Sequence, residues 1–294
     1  MKRTTGIMLF LFCTIDVSRS QSGGLTVQVK NDLNIARPDE TISLNMKEAA
    51  QALQIADPKK TGVHILDPAS GQELLTQSID MDGDGGMDLL IFQADFKPLE
   101  SRRFTLKSGP PRVLTKEQFK AYGRFVRERY DDFAWENDRI AHRMYGTALE
   151  TWQAEPLTSS AVDVWVKRVR RLVINDWYMV DNYHADTGEG GDFYSAGKAR
   201  GCGGSGIWQD GKLFVSRNFI NSKVIAAGPI RVAFELTYAP WDVGGRMVSE
   251  VKRVTLDAGQ NFDRFERTRH LVTVNTASPV SESLHRIEAA LLRL

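Results

Sequence analysis

Three stretches of this sequence concentrate side chains that could do chemistry. In the run from Asn182 to Tyr194, Tyr183, His184, Asp186, Glu189 and Asp192 are spaced by glycines, the composition of a loop whose backbone comes close to a ligand. His184 is the first candidate for a general base, because an imidazole with an unperturbed pKa of about 6.5 is mostly neutral near neutral pH. A metal held by His184, Asp186, Glu189 and Asp192 is a second reading, although a single imidazole suits zinc poorly. A polar loop without chemistry is the third.

The second stretch runs from Trp135 to Gly146. Read as one strand, it puts Asn137, Arg139, Ala141, Arg143 and Tyr145 on one face and Ile140, His142 and Met144 on the other. Two guanidinium groups that close repel unless an anion lies between them, and the guanidinium fork matches a carboxylate bidentately. The pair therefore reads either as the receptor of a substrate carboxylate or as part of a salt-bridged strand, with Glu136 and Asp138 as internal partners. His142, between apolar neighbours, suits packing better than chemistry.

The third stretch is Asp80 to Asp88, with carboxylates at Asp80, Asp82 and Asp84 and glycine at Gly85. This repeats the first half of an EF-hand-type calcium loop, but the twelfth position is Ile91 instead of a bidentate glutamate. Two readings stand: a structural calcium on Asp80, Asp82, Asp84 and Asp88, or a plain hairpin turn in which Asp-Gly pairs supply positive φ. No cofactor is required by either. The glycine-rich run Gly201 to Gly206 lacks the Gly-Lys-Ser/Thr ending of a phosphate loop and carries no such expectation.

The elements that must position these groups are mostly strands. From Leu25 to about Lys107, short alternating segments are punctuated by Gly, Pro and Asp, which predicts a small β-sandwich, with one helix over Met46 to Ile55. Ser108 to Arg112 contains two consecutive prolines and forms a linker, dividing a domain over 21–110 from one over 111–294. A capping-box pattern at Thr115 to Gln118 predicts a helix to about Tyr130, and the spacing of Val162, Trp165, Val166, Val169, Leu172 and Val173 predicts another over Ala161 to Ile174. Lys167, Arg168, Arg170 and Arg171 would then form its solvated face. Long alternating strands follow from Leu213 to Val274, and Ser283 to Leu294 turns helix-like. The fold class is mainly β: a β-sandwich followed by a large antiparallel domain with a few helices.

Composition excludes some partners. The 294 residues carry 38 Lys+Arg against 37 Asp+Glu, a net charge of +1, whereas a nucleic-acid binder needs an excess of cations. Residues 1–20 read as a signal peptide: Lys2-Arg3, an apolar run from Gly6 to Ile15, then Ser18-Arg19-Ser20 as a small-x-small cleavage site. Removing their three cations and one anion takes the balance to −1. An apolar run of about ten residues is too short for a membrane span, which needs about 20. The expected location is therefore periplasmic or secreted. Of the two cysteines, Cys13 leaves with the leader, so Cys202 has no internal disulfide partner.

With these motifs in view, the chain resembles the bacterial family called domain of unknown function 4861. The likeness rests on Asp82 to Gly85, Trp135 to Arg139 with Arg143 to Gly146, Val164-Trp165 to Trp177-Tyr178, and Tyr183-His184 with Gly188 to Gly190 and Asp192 to Tyr194. It covers roughly residues 25 to 280. The resemblance implies an exported protein that accompanies genes for degrading acidic polysaccharides such as pectin, and a second domain of the galactose-mutarotase supersandwich type. Family members run longer, so the tail from Ser283 suggests a truncated or frame-shifted end.

Together these readings lead to an expected function: β-elimination on a uronate-containing oligosaccharide or polysaccharide. That reaction needs a base for the proton α to a carboxylate, a cation for the carboxylate, and an acid for the leaving oxygen. Arg139 and Arg143 fit the cation, His184 the base, and Tyr183 or Tyr145 the acid. Glu136, Asn137, Glu189 and Asp192 would hold the sugar or orient these groups, and Trp135 would stack on a ring if it is not core. A sugar epimerase or mutarotase, or a glycan-binding protein without catalysis, are the alternatives.

Overall fold

The computed structural model describes residues 25–154, 156–196 and 202–272, with the backbone of Ser18–Arg19 and Ile287–Glu288. The predicted signal peptide and the helix-like tail lie outside the described residues, apart from those two short segments. Two compact units divide the chain, Met1–Val113 and Leu114–Leu294.

In the first unit, β1 (Ser18–Arg19), β2 (Leu25–Lys30), β3 (Arg37–Asn45), β4 (Gly62–Asp67), β5 (Gln72–Leu74), β6 (Thr76–Ile79), β7 (Leu89–Phe96) and β8 (Ser101–Gly109) form two antiparallel sheets, ordered β1-β2-β8-β4-β5 and β3-β7-β6. Strict alternation drives this pairing: Leu25, Val27 and Val29 point inward from β2, as do Val63 and Ile65 from β4. Their inner faces meet at Phe92, Phe104 and Leu106 in one core. Helix α1 (Met46–Ala52) forms where predicted, capped by Asn45, whose Oδ1 accepts from the Glu48 amide at 3.1 Å.

The second unit contains β9 (Ala121–Val126), β10 (Asp132–Asn137), β11 (Ile140–Met144), β12 (Asp163–Lys167) and β13 (Gly190–Gly191), which form an antiparallel sheet in the order β13-β12-β11-β10-β9. β14 (Gly206–Gln209) and β15 (Lys212–Val215) make a ribbon. β16 (Phe219–Ala227), β17 (Arg231–Val243), β18 (Arg246–Asp257), β19 (Arg264–Val272) and β20 (Ile287–Glu288) make a second five-stranded sheet in sequence order. One face of the β9–β13 sheet packs Phe133, Trp135 and Met144 against Phe234 and Val254 of the second sheet. Its other face carries Trp165 and is covered by α2 (Ile174–Val180) through Trp177 and Tyr178. The chain is thus mainly β and sandwich-like, with two α-helices among the described residues.

Two predicted helices are corrected. From Thr115, the capping box forms, with Gln118 Oε1 accepting from the Thr115 amide at 2.8 Å, but only the 3-10 turn Lys116–Gln118 follows before β9 begins. Gly123 weakens a helix there, and a Cβ in its place would meet Val232 and Trp135 within 3.0 Å, so this strand needs glycine for close packing. Within Ala161 to Ile174 the chain forms strand β12 over Asp163–Lys167 and then irregular backbone, and helix begins only at Ile174. Val162, Val164 and Val166 alternate with Asp163, Trp165 and Lys167, a period of two with β-branched residues that prevails over the coincident helical spacing.

Candidate functional site

On the α2 side of the β9–β13 sheet, register assembles a buried charged cluster. Arg143 on β11 lies opposite Ala134 of β10 and opposite Asp163 of β12. Its Nε and Nη2 donate to Asp163 Oδ2 at 3.0 and 2.6 Å, Nη2 donates to Asp192 Oδ2 at 3.0 Å, and Nη1 lies 3.6 Å from Asp132 Oδ2. The guanidinium also sits over the rings of Tyr145, Trp165 and Tyr183, 5.1 to 5.4 Å from their centres.

One buried cation thus faces three aspartates exposed by 5% or less. Burial pushes the carboxyls of Asp132 and Asp192 up to about 7, reinforced by the charge of Asp163 and opposed by Arg143. The Oδ1 atoms of Asp132, Asp163 and Asp192 are buried with no hydrogen-bond partner among the described residues. A carboxyl held near neutrality in this way can exchange a proton at physiological pH. Burial also raises the phenols of Tyr145, Tyr178 and Tyr183, which keeps them protonated.

The glycines noted in the sequence explain how Asp192 gets there. Gly190 has φ of 108°, and a Cβ there would fall 2.0 Å from Val166 O. Only glycine lets β13 pair with Val166 and Lys167 and return the loop to the sheet. The Asp192 amide then donates to Tyr183 O at 2.7 Å, closing the loop, while Asp186 Oδ1 accepts from the amides of Gly188 and Gly190.

Tyr183 is the hinge between the cluster and its surface. Its hydroxyl oxygen accepts from Arg143 Nη1 at 3.0 Å and from Arg129 Nε at 2.7 Å. The half-buried Arg129 lies over the Trp152 ring at 4.6 Å, and Trp152 stacks on Tyr130 at 4.2 Å. His184, next in sequence, has a side chain 62% exposed, with Nδ1 3.5 Å from Asp192 Oδ2. Nδ1 also lies 3.4 Å from the Asp192 carbonyl oxygen, so a proton on Nδ1 would have acceptors here and leave Nε2 as the open nitrogen.

Tyr183, His184, Asp192, Arg143 and Tyr145 are therefore brought together, the last with its hydroxyl against Asp163. The paired-arginine face of Arg139 and Arg143 does not form. Asp138 and Arg139 make the turn between β10 and β11, where the Arg139 amide donates to Asn137 Oδ1 at 2.8 Å, and the second arginine at Tyr183 is Arg129. Glu136 pairs with Lys167 Nζ at 2.6 Å and accepts from the amides of Val173 and Ile174, so its charge is spent on the start of α2. Asn137 holds the turn, donating to Asp257 O and Gln260 O. Trp135 is fully buried between the sheets, its Nε1 donating to Asp263 Oδ1 at 2.8 Å, and His142 packs beside it with Nε2 3.0 Å from Asp263 Oδ2. Glu189 accepts a fork from Arg171 at 2.6 and 2.7 Å.

In the first unit, the Asp80 loop joins β6 to β7 as a turn. Asp80 accepts from the amides of Gly83 and Gly85, and Asp88 from that of Met81. Ligand atoms of Asp80, Asp82 and Asp88 lie within 4.8 Å of one another, a set that leaves out Asp84, whose Oδ1 accepts from the Gly86 amide.

Arg129, Asp132 and Asp163 were not singled out in the sequence. Asp163 carried a signal nonetheless: a lone carboxylate among alternating valines and a tryptophan marks a charge on a buried strand face, which must be paired. Asp132 precedes Phe133-Ala134-Trp135 in the same manner.

Among known proteins, "Uncharacterized protein P7" of Formosa agariphila is 36% identical over 250 residues, covering 82% of this chain and 62% of that protein. The chain thus spans less than two thirds of that relative's length. A family model described as Domain of unknown function (DUF4861) matches residues 29–277, a span that takes in the Asp80 loop, the Arg143 cluster and the His184 loop. By that match, the chain belongs to the family Domain of unknown function (DUF4861).

Proposed function

We propose that this is an exported, carbohydrate-active protein that cleaves uronate-containing oligosaccharides by β-elimination. The observation that carries the reading is the convergence of His184, Asp192, Arg143, Tyr183 and Arg129 through contacts of 2.7 to 3.5 Å. In the reaction His184 Nε2 takes the proton from the carbon α to the substrate carboxylate, and that electron pair forms the C=C bond. The bond from the β-carbon to the glycosidic oxygen breaks, and the oxygen leaves with the proton of the Tyr183 hydroxyl. Tyr183 is 3% exposed, and because its Oη accepts from two guanidinium groups, its O–H remains as a donor for the leaving oxygen. Arg129 supplies the charge that draws in the substrate carboxylate and stabilises the enolate. Arg143, surrounded by three aspartates, positions Tyr183 and offers no net charge to a substrate. The Asp80 loop is read as a turn that can take a structural calcium on Asp80, Asp82 and Asp88, without a part in the reaction.

A second reading is favoured by one observation, the raised carboxyls of Asp192, which contacts His184, and of Asp132 in the same cluster. Such a cluster suits proton exchange on a neutral sugar, as an epimerase or mutarotase needs, with no call for a substrate carboxylate. Incubating the purified chain with uronate oligosaccharides and with neutral sugars separates these readings. Growth of the ultraviolet band of an unsaturated uronate supports elimination. A change in anomeric or epimeric ratio of a neutral sugar, with no such band, replaces it with the second reading, and binding without either change makes the protein a glycan binder.

A further inference from the structure

Of the basic run Lys167 to Arg171, Lys167 is buried against Glu136, whereas Arg170 and Arg171 line a pocket. It lies at the tip of the β10–β11 hairpin, within the second unit, with a volume of about 470 Å³. Lys116, Lys120, Arg170 and Arg171 contribute four cations to its lining, against the carboxylates of Glu117 and Asp138, and Phe119 gives it an apolar wall. Its volume is in the range of small-ligand sites.

Several of its charged groups are already committed. Arg171 is held by Glu189 and by Asp176, and Asp138 Oδ1 accepts from the Gly259 amide at 2.7 Å. Arg170 Nη1 donates to Asp138 O at 3.4 Å and lies 3.9 Å from Asp138 Oδ2, with a side chain 67% exposed. The Lys116 and Lys120 ammonium groups form no salt bridge among the described residues. With Arg171 set aside, the lining holds Lys116, Lys120 and Arg170 against Glu117 and Asp138, an excess of one positive charge beside an aromatic ring. That combination fits a sugar unit that carries an anionic group: the ring takes the apolar face of the sugar and the cations take its charge.

Ion pairs tie the pocket wall and its neighbouring strand end to the loop that carries His184. Arg171 in its wall grips Glu189, Arg168 pairs with Asp186 at 2.9 Å, and both acids belong to the loop that begins at His184. Along β10, Asp138 is four residues from Ala134, the residue opposite Arg143, a separation on the order of 14 Å. A separation of that order between the Arg143 cluster and the pocket calls for a chain longer than a disaccharide.

We infer that the pocket bounded by Lys116, Phe119, Lys120 and Arg170 is a distal subsite for an anionic unit of the same oligosaccharide. It rests on the reading that an acidic oligosaccharide is the ligand. The site makes affinity depend on chain length, since only oligomers that span both positions gain the second set of contacts.

The test is isothermal titration calorimetry of the full chain with a uronate disaccharide and a uronate hexasaccharide. It is run on the wild type and on the Lys120→Ala/Arg170→Ala double variant, both substitutions being at exposed positions with circular dichroism as the check of folding. The expected result is tighter binding of the hexasaccharide than of the disaccharide by the wild type, an advantage that falls with added salt. In the double variant hexasaccharide affinity should drop about tenfold and disaccharide affinity should stay unchanged. Equal hexasaccharide affinity in wild type and variant overturns the subsite, whatever the reaction. Loss of affinity in the variant while no uronate is ever cleaved leaves the subsite standing and removes the elimination reading. If the wild type binds neither oligosaccharide, both fall.

Discussion

Replacing Asp132 by Asn should flatten the pH dependence of stability. Asp132 is 1% exposed, with its Oδ2 3.6 Å from Arg143 Nη1 and 3.4 Å from the Tyr178 hydroxyl that donates to it. Its carboxyl is pushed from 3.8 in a free chain up to about 7 in the folded protein, chiefly by burial. A carboxyl raised in this direction binds its proton more tightly folded than unfolded. The stability it contributes is therefore fully present below about pH 3.8 and is lost as pH rises through about 7. Each pH unit well inside that window is worth about 1.4 kcal/mol and the slope halves at the folded pKa, so from about pH 5 to about pH 7 the wild type should lose roughly 2.3 kcal/mol through this one group. Asp192, raised by burial and by Asp163, and Glu136, raised by burial, add to the same slope. Urea unfolding followed by fluorescence of the buried Trp135 and Trp165 measures it. Asp132→Asn should lose stability more slowly over this window than the wild type, by up to about 1.4 kcal/mol per pH unit. Parallel pH profiles for the two proteins would refute the argument that this carboxyl is held protonated, as would wild-type stability that rises from about pH 5 to about pH 7.

Three further outcomes follow from the same geometry. Lys167→Met should destabilise the second unit by about 3–5 kcal/mol, because it leaves Glu136 buried and uncompensated, and adding Glu136→Gln should recover much of that loss in chemical denaturation. Gly190→Ala forces a Cβ to 2.0 Å from Val166 O at a φ that side chains rarely adopt; it should cost at least about 1–3 kcal/mol by thermal unfolding and lower activity by shifting Asp192. Tyr183→Phe should reduce turnover of uronate oligosaccharides about 10²–10⁴-fold with substrate affinity little changed, read as kcat against KM.

Much of the fold was legible from residues two apart. Leu25, Val27 and Val29, or Val248, Val254 and Leu256, commit their segments to strands with one buried face, whatever surrounds them. At Val162 to Val173 the apolar residues satisfy helical and strand spacing at once, and the helical pattern predicts the wrong element over Asp163–Lys167. There a helix reading places Asp163 among solvated charges and hides it. The site was half legible. Tyr183, His184, Asp192, Arg143 and Tyr145 declared themselves by type and by the glycines around them. Arg139 was misplaced because alternation was carried through a turn: Asn137 accepts from the amides of Arg139 and Ile140, which breaks the strand. Arg129 could not be found from local pattern, since it is 54 residues from Tyr183 and meets it only through tertiary folding.

The most direct test of the account is the time course of unsaturated-product absorbance when the wild type and His184→Ala are each given a uronate oligosaccharide. The wild type should generate the band, and His184→Ala, folded as judged by circular dichroism, should be slower by a factor of about 10² or more. No band from the wild type with any uronate oligosaccharide, or equal rates from the two proteins, would contradict elimination by His184.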